Sequence, residues 1–306
     1  MLSRRSVVSA LATLPWVAGA NQAAAQAAVS VIATTSVIED FVSVVGGERV
    51  SVTALVGRNR DSHGFDPLPA QVRQVSSARL VVSNGAGLET WLPRTLQAAA
   101  YRGPQAVLSS GVTLRRAAEQ AGDHSHAGHS HGANDPHIWQ DPRRVQQMIR
   151  TLTNALVAVD PPGAEGYRAR AAAYAAELQT LEGWVSEQLR PIPVQRRRAV
   201  VSHNSFTYFG ERFSVDFRAP RITPTTEPSS QDIARLVRQI REQRITAVFL
   251  ENITDPRLVE RIAQEAGVKV GGKLYSDALS EPGGAAASYL DMMRHNSRML
   301  ATAFRT

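Results

Sequence analysis

Midway along the 306-residue chain, the stretch 163–189 carries apolar residues at Tyr167, Ala171, Tyr174, Leu178, Leu181, Val185 and Leu189. The steps are threes and fours, so these side chains form one continuous stripe on an α-helix. Pro161-Pro162 precedes the run, and Pro191 and Pro193 close it, which confines the helix between two breakers. At about 1.5 Å per residue it spans roughly 40 Å, enough to pass from one domain to another. An ordinary packing helix inside one domain is the plainer reading. The position of this helix at mid-chain favours the bridge.

Short β-branched runs alternate with helical patterns on both sides of it. Before it, strands are expected at 29–33, 50–55 and 80–82, and helices at 36–45, 67–77 and 88–101, with Ser36 as a cap and Gly46-Gly47 as a stop. After it, strands are expected at 199–202, 246–250 and 268–271, and helices at 206–212, 229–242, 256–266 and 285–304. Such alternation predicts an α/β fold with parallel sheets covered by helices. The expected organisation is an N-terminal α/β lobe over 27–162, a rigid linker helix over 163–190 and a C-terminal α/β lobe over 191–306. Both lobes open with a strand, as distant internal repeats would.

Residues 1–26 read as a secretory signal. Arg4 and Arg5 precede an apolar run from Ser6 to Ala20, and small residues follow in an Ala-x-Ala pattern. The run is too short to span a membrane. Ser3-Arg4-Arg5-Ser6 partly matches a twin-arginine signal. The chain has no cysteine, which excludes disulfides and thiolate metal sites. From this the expected location is the periplasm, without a lipid anchor, as a monomer. The net charge of +7 comes almost wholly from arginine, and the dense run Arg196-Arg197-Arg198 has no interleaved aromatics. Nothing there suggests nucleic-acid binding.

Metal is the first functional expectation. Residues 123–132 read Asp-His-Ser-His-Ala-Gly-His-Ser-His-Gly, and with His137 they hold five of the chain's eight histidines. Imidazole is well suited to zinc and its neighbours near neutral pH. Residues 119–134 are rich in Gly, His and Ser without a hydrophobic period, and read as an exposed loop. His124, His126, His129 and His131 are therefore expected to bind metal weakly, either as an accessory antenna or as bystanders. Four other residues stand just beyond expected strands or in well-defined polar turns: His63, His137, His203 and Asp277. Ligands of open α/β sheets bind at the carboxyl ends of strands. Two of these positions precede the long helix and two follow it, so a cleft between lobes would draw two ligands from each. His295, on the closing helix, lacks that context and reads as a surface residue.

The segments around these residues resemble the zinc/manganese solute-binding proteins of metal-importing ABC transporters. The resemblance rests on Asp61-Ser62-His63-Gly64-Phe65-Asp66-Pro67, on Ser83-Asn84-Gly85-Ala86-Gly87-Leu88-Glu89-Thr90-Trp91-Leu92, and on Asp135-Pro136-His137-Ile138-Trp139 before Asp141-Pro142. Ser202-His203-Asn204-Ser205-Phe206, Glu227-Pro228-Ser229 and Tyr275-Ser276-Asp277 complete it. Many members have proline where Ser62 stands. The resemblance implies two α/β lobes joined by one rigid helix, a metal cleft between them, and His63, His137, His203 and Asp277 as ligands. It also implies an inner-membrane ABC permease as partner; the His-rich loop adds a periplasmic zinc metallochaperone as a second expected partner.

Three imidazoles and one carboxylate suit tetrahedral Zn2+. Manganese prefers more oxygen, and in manganese-binding relatives the third ligand is usually a carboxylate, where this chain has His203. Zinc carried as cargo is therefore the expectation, and a manganese- or iron-binding homologue is the alternative. A zinc hydrolase needs an open coordination position; here protein fills all four, and no His-Glu-x-x-His helix is present. A pure metal buffer would need no transporter.

Overall fold

The computed structural model describes residues 27–116, 134–219, 230–243, 245 and 247–305. The 1–26 segment, the four loop histidines and Glu227-Pro228-Ser229 lie outside them. Among the described residues no helix is long and apolar enough to cross a membrane.

Two parallel four-stranded sheets form the frame. In the N-terminal lobe β1 (Val29–Thr35), β2 (Val50–Val56), β3 (Leu80–Ser83) and β4 (Gln105–Val107) lie in the order β2-β1-β3-β4. In the C-terminal lobe β5 (Arg198–Val200), β6 (Asp216–Arg218), β7 (Ala247–Glu251) and β8 (Lys269–Leu274) lie in the order β6-β5-β7-β8. The two orders are the same, so the suspected repeat is present in topology. Strand β1 pairs with β2 through Val31↔Val52 and with β3 through Ile32↔Val81; β5 pairs with β7 through Val200↔Val248. In each lobe the direction of winding reverses beside the first strand, which opens a crevice at the carboxyl ends of the strands.

Alternation along the strands decides which side chains meet. Val31, Ala33, Leu80 and Val82 face one way, and so do Ala199, Ala247 and Phe249 of the second lobe; all belong to one apolar core continuous across both lobes. Ile32 and Val81 face the other way into a smaller cluster with Val75, Trp91 and Leu92. Val200 and Val248 likewise pack outward against Leu236, Ile240 and Ile262.

The shared core is closed by α1 (Ser36–Gly46), α4 (Pro142–Val159), α5 (Ala164–Leu189) and α9 (Tyr289–Arg305). Helix α5 buries Tyr167, Tyr174, Leu178, Leu181, Val185 and Leu189, the stripe read from the sequence less Ala171. Phe41 of α1 meets Tyr289 of α9 edge to face, with ring centroids 5.1 Å apart. Helices α2 (Pro69–Ser76) and α3 (Leu92–Ala98) cover the outer face of the first sheet, and α7 (Ser230–Glu242) and α8 (Pro256–Ala266) that of the second. The remaining helix, α6 (Thr207–Phe213), follows β5.

Several expectations need correction. Thr35, not Ser36, caps α1 by accepting from the Ile38 amide, while the Ser36 hydroxyl accepts from Leu279 N across the lobes. The helix expected over 88–101 is confined to Leu92–Ala98: the turn opened by the positive φ of Gly85, Ala86 and Gly87 runs on to Trp91, and Ala100, also at positive φ, ends the helix early. The closing helix begins at Tyr289 rather than 285. The sequence reading passes over α4, whose buried Val145, Met148, Ile149, Leu152 and Leu156 make an amphipathic face behind the N-cap Asp141.

Candidate metal centre

Three strand ends and one loop deliver four side chains to one point. His63 stands in the loop after β2, His203 follows β5, Asp277 follows β8, and His137 precedes the short 3-10 turn Ile138–Gln140 that leads into α4. One ligand atom from each lies within 4.8 Å of those of the other three. His63 Nε2 is 2.9 Å from Asp277 Oδ2, and His203 Nε2 is 3.2 Å from the same oxygen. His137 Nε2 lies 3.4 Å from His63 Nε2 and 3.8 Å from Asp277 Oδ1. The expected quartet is therefore brought together, two residues from each lobe. His295 is elsewhere, at the surface, against the Lys273 carbonyl.

Local turns set each loop. The His63 amide donates to Asp61 Oδ1 and the His137 amide to Asp135 Oδ1, two Asx-type turns of the same design. Ser62, where the family often has proline, is fully buried, and its carbonyl accepts from Trp91 Nε1 at 3.0 Å. The Ser276 carbonyl accepts from both Trp139 Nε1 and Gln140 Nε2, which ties the Asp277 segment to the first lobe. Arg212 of α6 grips Asp141 with two 3.0 Å bonds, another link between lobes.

Two further carboxylates lie behind the imidazoles. Asp135 Oδ1 is 2.8 Å from His137 Nδ1, and Glu251 Oε2 is 2.8 Å from His203 Nδ1. The Asp135 hydrogen bond on the outer nitrogen of His137 fixes the tautomer that presents Nε2 to a metal and raises its basicity, whereas Glu251 meets His203 Nδ1 as a close charge contact without hydrogen-bond geometry. Glu251 also accepts from the Ser202 and His203 amides and from the Ser202 hydroxyl. The sequence reading did not single out Glu251; its signal was an acidic residue closing the apolar run Ala247-Val248-Phe249-Leu250.

The electrostatics follow from burial against pairing. Burial disfavours the charged form of His203, yet Glu251 and Asp277 outweigh it and hold the imidazole well above its ordinary range. Burial likewise opposes ionisation of Asp277, but the His203 and His137 charges keep its carboxyl well below the usual carboxylate value. Glu251 and Asp135 are lowered against burial by His203 and His137 respectively. Asp277 Oδ1 is buried and makes no hydrogen bond among the described residues, as an oxygen reserved for a cation would. Three neutral imidazoles and one carboxylate can hold a divalent ion while a shell of anions offsets its charge.

The family profile described as zinc-uptake complex component A, periplasmic, matches residues 31–303. The chain belongs to this ZnuA family. It is 32% identical over 267 residues to the manganese-binding lipoprotein MntA of Halalkalibacterium halodurans, a match covering 87% of this chain and 85% of that protein. It is 27% identical over 282 residues to the metal ABC transporter substrate-binding lipoprotein SloC of Streptococcus mutans, covering 89% of each. The solved structure of the periplasmic zinc binding protein TroA from Treponema pallidum matches with a TM-score of 0.82, over 90% of this chain and 99% of that one. At 22% identity that likeness speaks to the fold. ZnuA-family proteins are metal-binding solute-binding proteins of ABC transporters and not enzymes, so the zinc-hydrolase reading falls.

The same relatives overturn one expectation. A periplasmic location is consistent with these relatives, but the expectation that no lipid anchor is present is not, because MntA and SloC are both named lipoproteins. That expectation rests on the absence of cysteine, which bears on a single attachment chemistry.

Proposed function

We propose that the protein binds Zn2+ between its lobes through His63, His137, His203 and Asp277 and delivers it to the membrane permease of an ABC importer. The convergence of three Nε2 atoms and one carboxylate within 4.8 Å carries this reading. The set is rich in nitrogen and has four members, as tetrahedral zinc prefers. Manganese and iron(II) favour more oxygen and higher coordination. The zinc-uptake description of the family supports the same cargo. One observation favours a second reading: MntA, named manganese-binding, shares 32% identity with this chain. The His-rich stretch lies outside the described residues. Its density of imidazole supports weak zinc collection by His124, His126, His129 and His131, or receipt of zinc from a metallochaperone.

Titration of metal-free full-length chain with zinc against a competing chelator, repeated with excess manganese, tests the proposal. One tight zinc per chain that a 100-fold excess of manganese does not displace is the expected result. Displacement by manganese at comparable concentration transfers the site to the second reading.

A further inference from the structure

The turn from Ser83 to Leu92 carries much of the family resemblance but contributes no atom to the quartet. It sits at the carboxyl end of β3, and two of its side chains reach the loops that bear the two first-lobe histidines. Asn84 is fully buried, and its amide donates to the Pro136 carbonyl at 2.9 Å. That carbonyl belongs to the peptide whose amide is His137 N. Trp91 Nε1 donates to the Ser62 carbonyl at 3.0 Å, and that carbonyl belongs to the peptide whose amide is His63 N. The Trp91 ring also packs edge to face on Phe65, with centroids 4.9 Å apart, so His63 is held from both sides in sequence.

The turn itself is locked. Glu89 Oε1 accepts from the Thr34 hydroxyl at 2.6 Å and from Asn84 N at 2.7 Å, while Oε2 accepts from Gly85 N at 2.9 Å. Gly85 has φ of +79°, and a Cβ there would meet Val107 and Ser109 atoms at 2.4 Å. The backbone therefore has one seat. Ligand loops that stand 74 residues apart in sequence are both referenced to it. Glu251 plays the matching part for His203 in the other lobe, by accepting from backbone amides at the end of β5.

We propose that Asn84 and Trp91 are positioning residues for the metal site, Asn84 acting through His137 and Trp91 through His63, with Glu89 fixing the turn that carries both. Partners bonded directly to a ligand side chain are worth roughly 10- to 100-fold in metal affinity; Asn84 and Trp91 act one step further out, on the backbone that carries the ligand, so a smaller loss is expected.

The test uses the full chain with Asn84→Ala, Trp91→Phe and Glu89→Gln, each also combined with His63→Ala or His137→Ala. Zinc affinity is read by chelator competition, ligand geometry by the visible absorption of bound Co2+, and fold by melting of the metal-free form. Asn84→Ala and Trp91→Phe are expected to weaken zinc binding by roughly threefold or more and to alter the Co2+ spectrum, while the metal-free form, less stable for the buried carbonyl left unpaired, still melts in one cooperative transition. The Asn84→Ala loss is expected to vanish in the His137→Ala background and persist in the His63→Ala background; Trp91→Phe shows the reverse. If Glu89→Gln does not fold, the other two variants decide. Unchanged affinity and spectrum overturn the assignment, and so do losses that persist equally in both histidine backgrounds. The inference rests on the zinc reading of the site: a parent chain that binds no zinc overturns that reading, whereas a zinc-binding parent with unaffected variants overturns this assignment alone.

Discussion

Oδ2 of Asp277 lies 2.9 Å from His63 Nε2 and 3.2 Å from His203 Nε2, so one carboxylate oxygen joins the histidines of opposite lobes. Asp277 is 1% exposed. It is the sole anion among the four converging residues, and water reaches it poorly.

That position changes the expected ranking of ligand variants. From the sequence alone, Asp277→Ala is the mildest loss, because water can replace one oxygen. With the carboxylate buried, its removal leaves a divalent ion facing three imidazoles and no charge of opposite sign within the set. Asp277→Ala and Asp277→Asn are expected to weaken zinc binding at least as much as His203→Ala, by about 100-fold or roughly 2.7 kcal/mol. Chelator competition measures it. Asp277→Asn binding within threefold of the parent is the contrary result.

Zinc binding should be opposed by protons at and above neutral pH. Without metal, Glu251 and Asp277 hold the His203 imidazole well above its ordinary value of 6.5. The stabilisation from this charged triad is complete below 6.5 and lost as pH rises through the raised His203 value. On the acid side it is complete above the ordinary Glu251 and Asp277 values of 4.5 and 3.8, and lost as pH falls through their lowered ones. The metal-free protein thus gains most from the triad between about 4.5 and 6.5. Zinc needs the neutral imidazole, so its affinity, and the melting shift it produces, should climb with pH through neutrality. Calorimetry in buffers of different ionisation enthalpy should show proton release on zinc binding at pH 7. Zero release there is the opposing outcome.

Asp40 of α1 gives a second pH effect. Burial raises its carboxyl to about 6, against the Tyr289 amide bond that lowers it. A folded value above the unfolded 3.8 means that stability falls as pH rises from about 3.8 through 6. Asp40→Asn keeps an acceptor for the amide and removes the charge. It should raise the melting temperature at pH 7.5, by on the order of 1 kcal/mol or roughly 2–4 °C, and leave it unchanged near pH 4. Equal effects at both pH values contradict the assignment.

Deletion of 123–132 should leave the tight site intact. The base of that stretch is closed by the Arg116↔Asn134 bridge and by the Asp135 amide on the Arg115 carbonyl, before His137 begins. Zinc stoichiometry should fall only in the weak, high-concentration range. Loss of the tight zinc on deletion would place one of His124, His126, His129 or His131 among the primary ligands.

Much of this was legible in sequence because its causes are local. The α5 stripe follows from helical period, and His63 and His137 announce themselves through Asp-x-His turns whose hydrogen bonds span two residues. The partner of Glu251 was not legible, because Glu251 reaches His203 only through the parallel pairing of β5 with β7, which sets Val200 beside Val248. That register is a property of the sheet, not of either segment. The α4 helix was legible and passed over: Asp141-Pro142 is a strong start, with apolar residues at helical spacing behind it. Ser36 shows the converse case, a good cap residue diverted to Leu279 N by a contact more than two hundred residues away.

X-ray absorption at the zinc edge, on chain loaded with one equivalent, reads directly whether His63, His137, His203 and Asp277 hold the ion. Four-coordinate zinc with three imidazole nitrogens and one carboxylate oxygen at about 2.0–2.2 Å is expected, with one imidazole lost in each of His63→Ala, His137→Ala and His203→Ala. A six-coordinate, oxygen-rich shell, or an imidazole count that His203→Ala leaves at three, would contradict it.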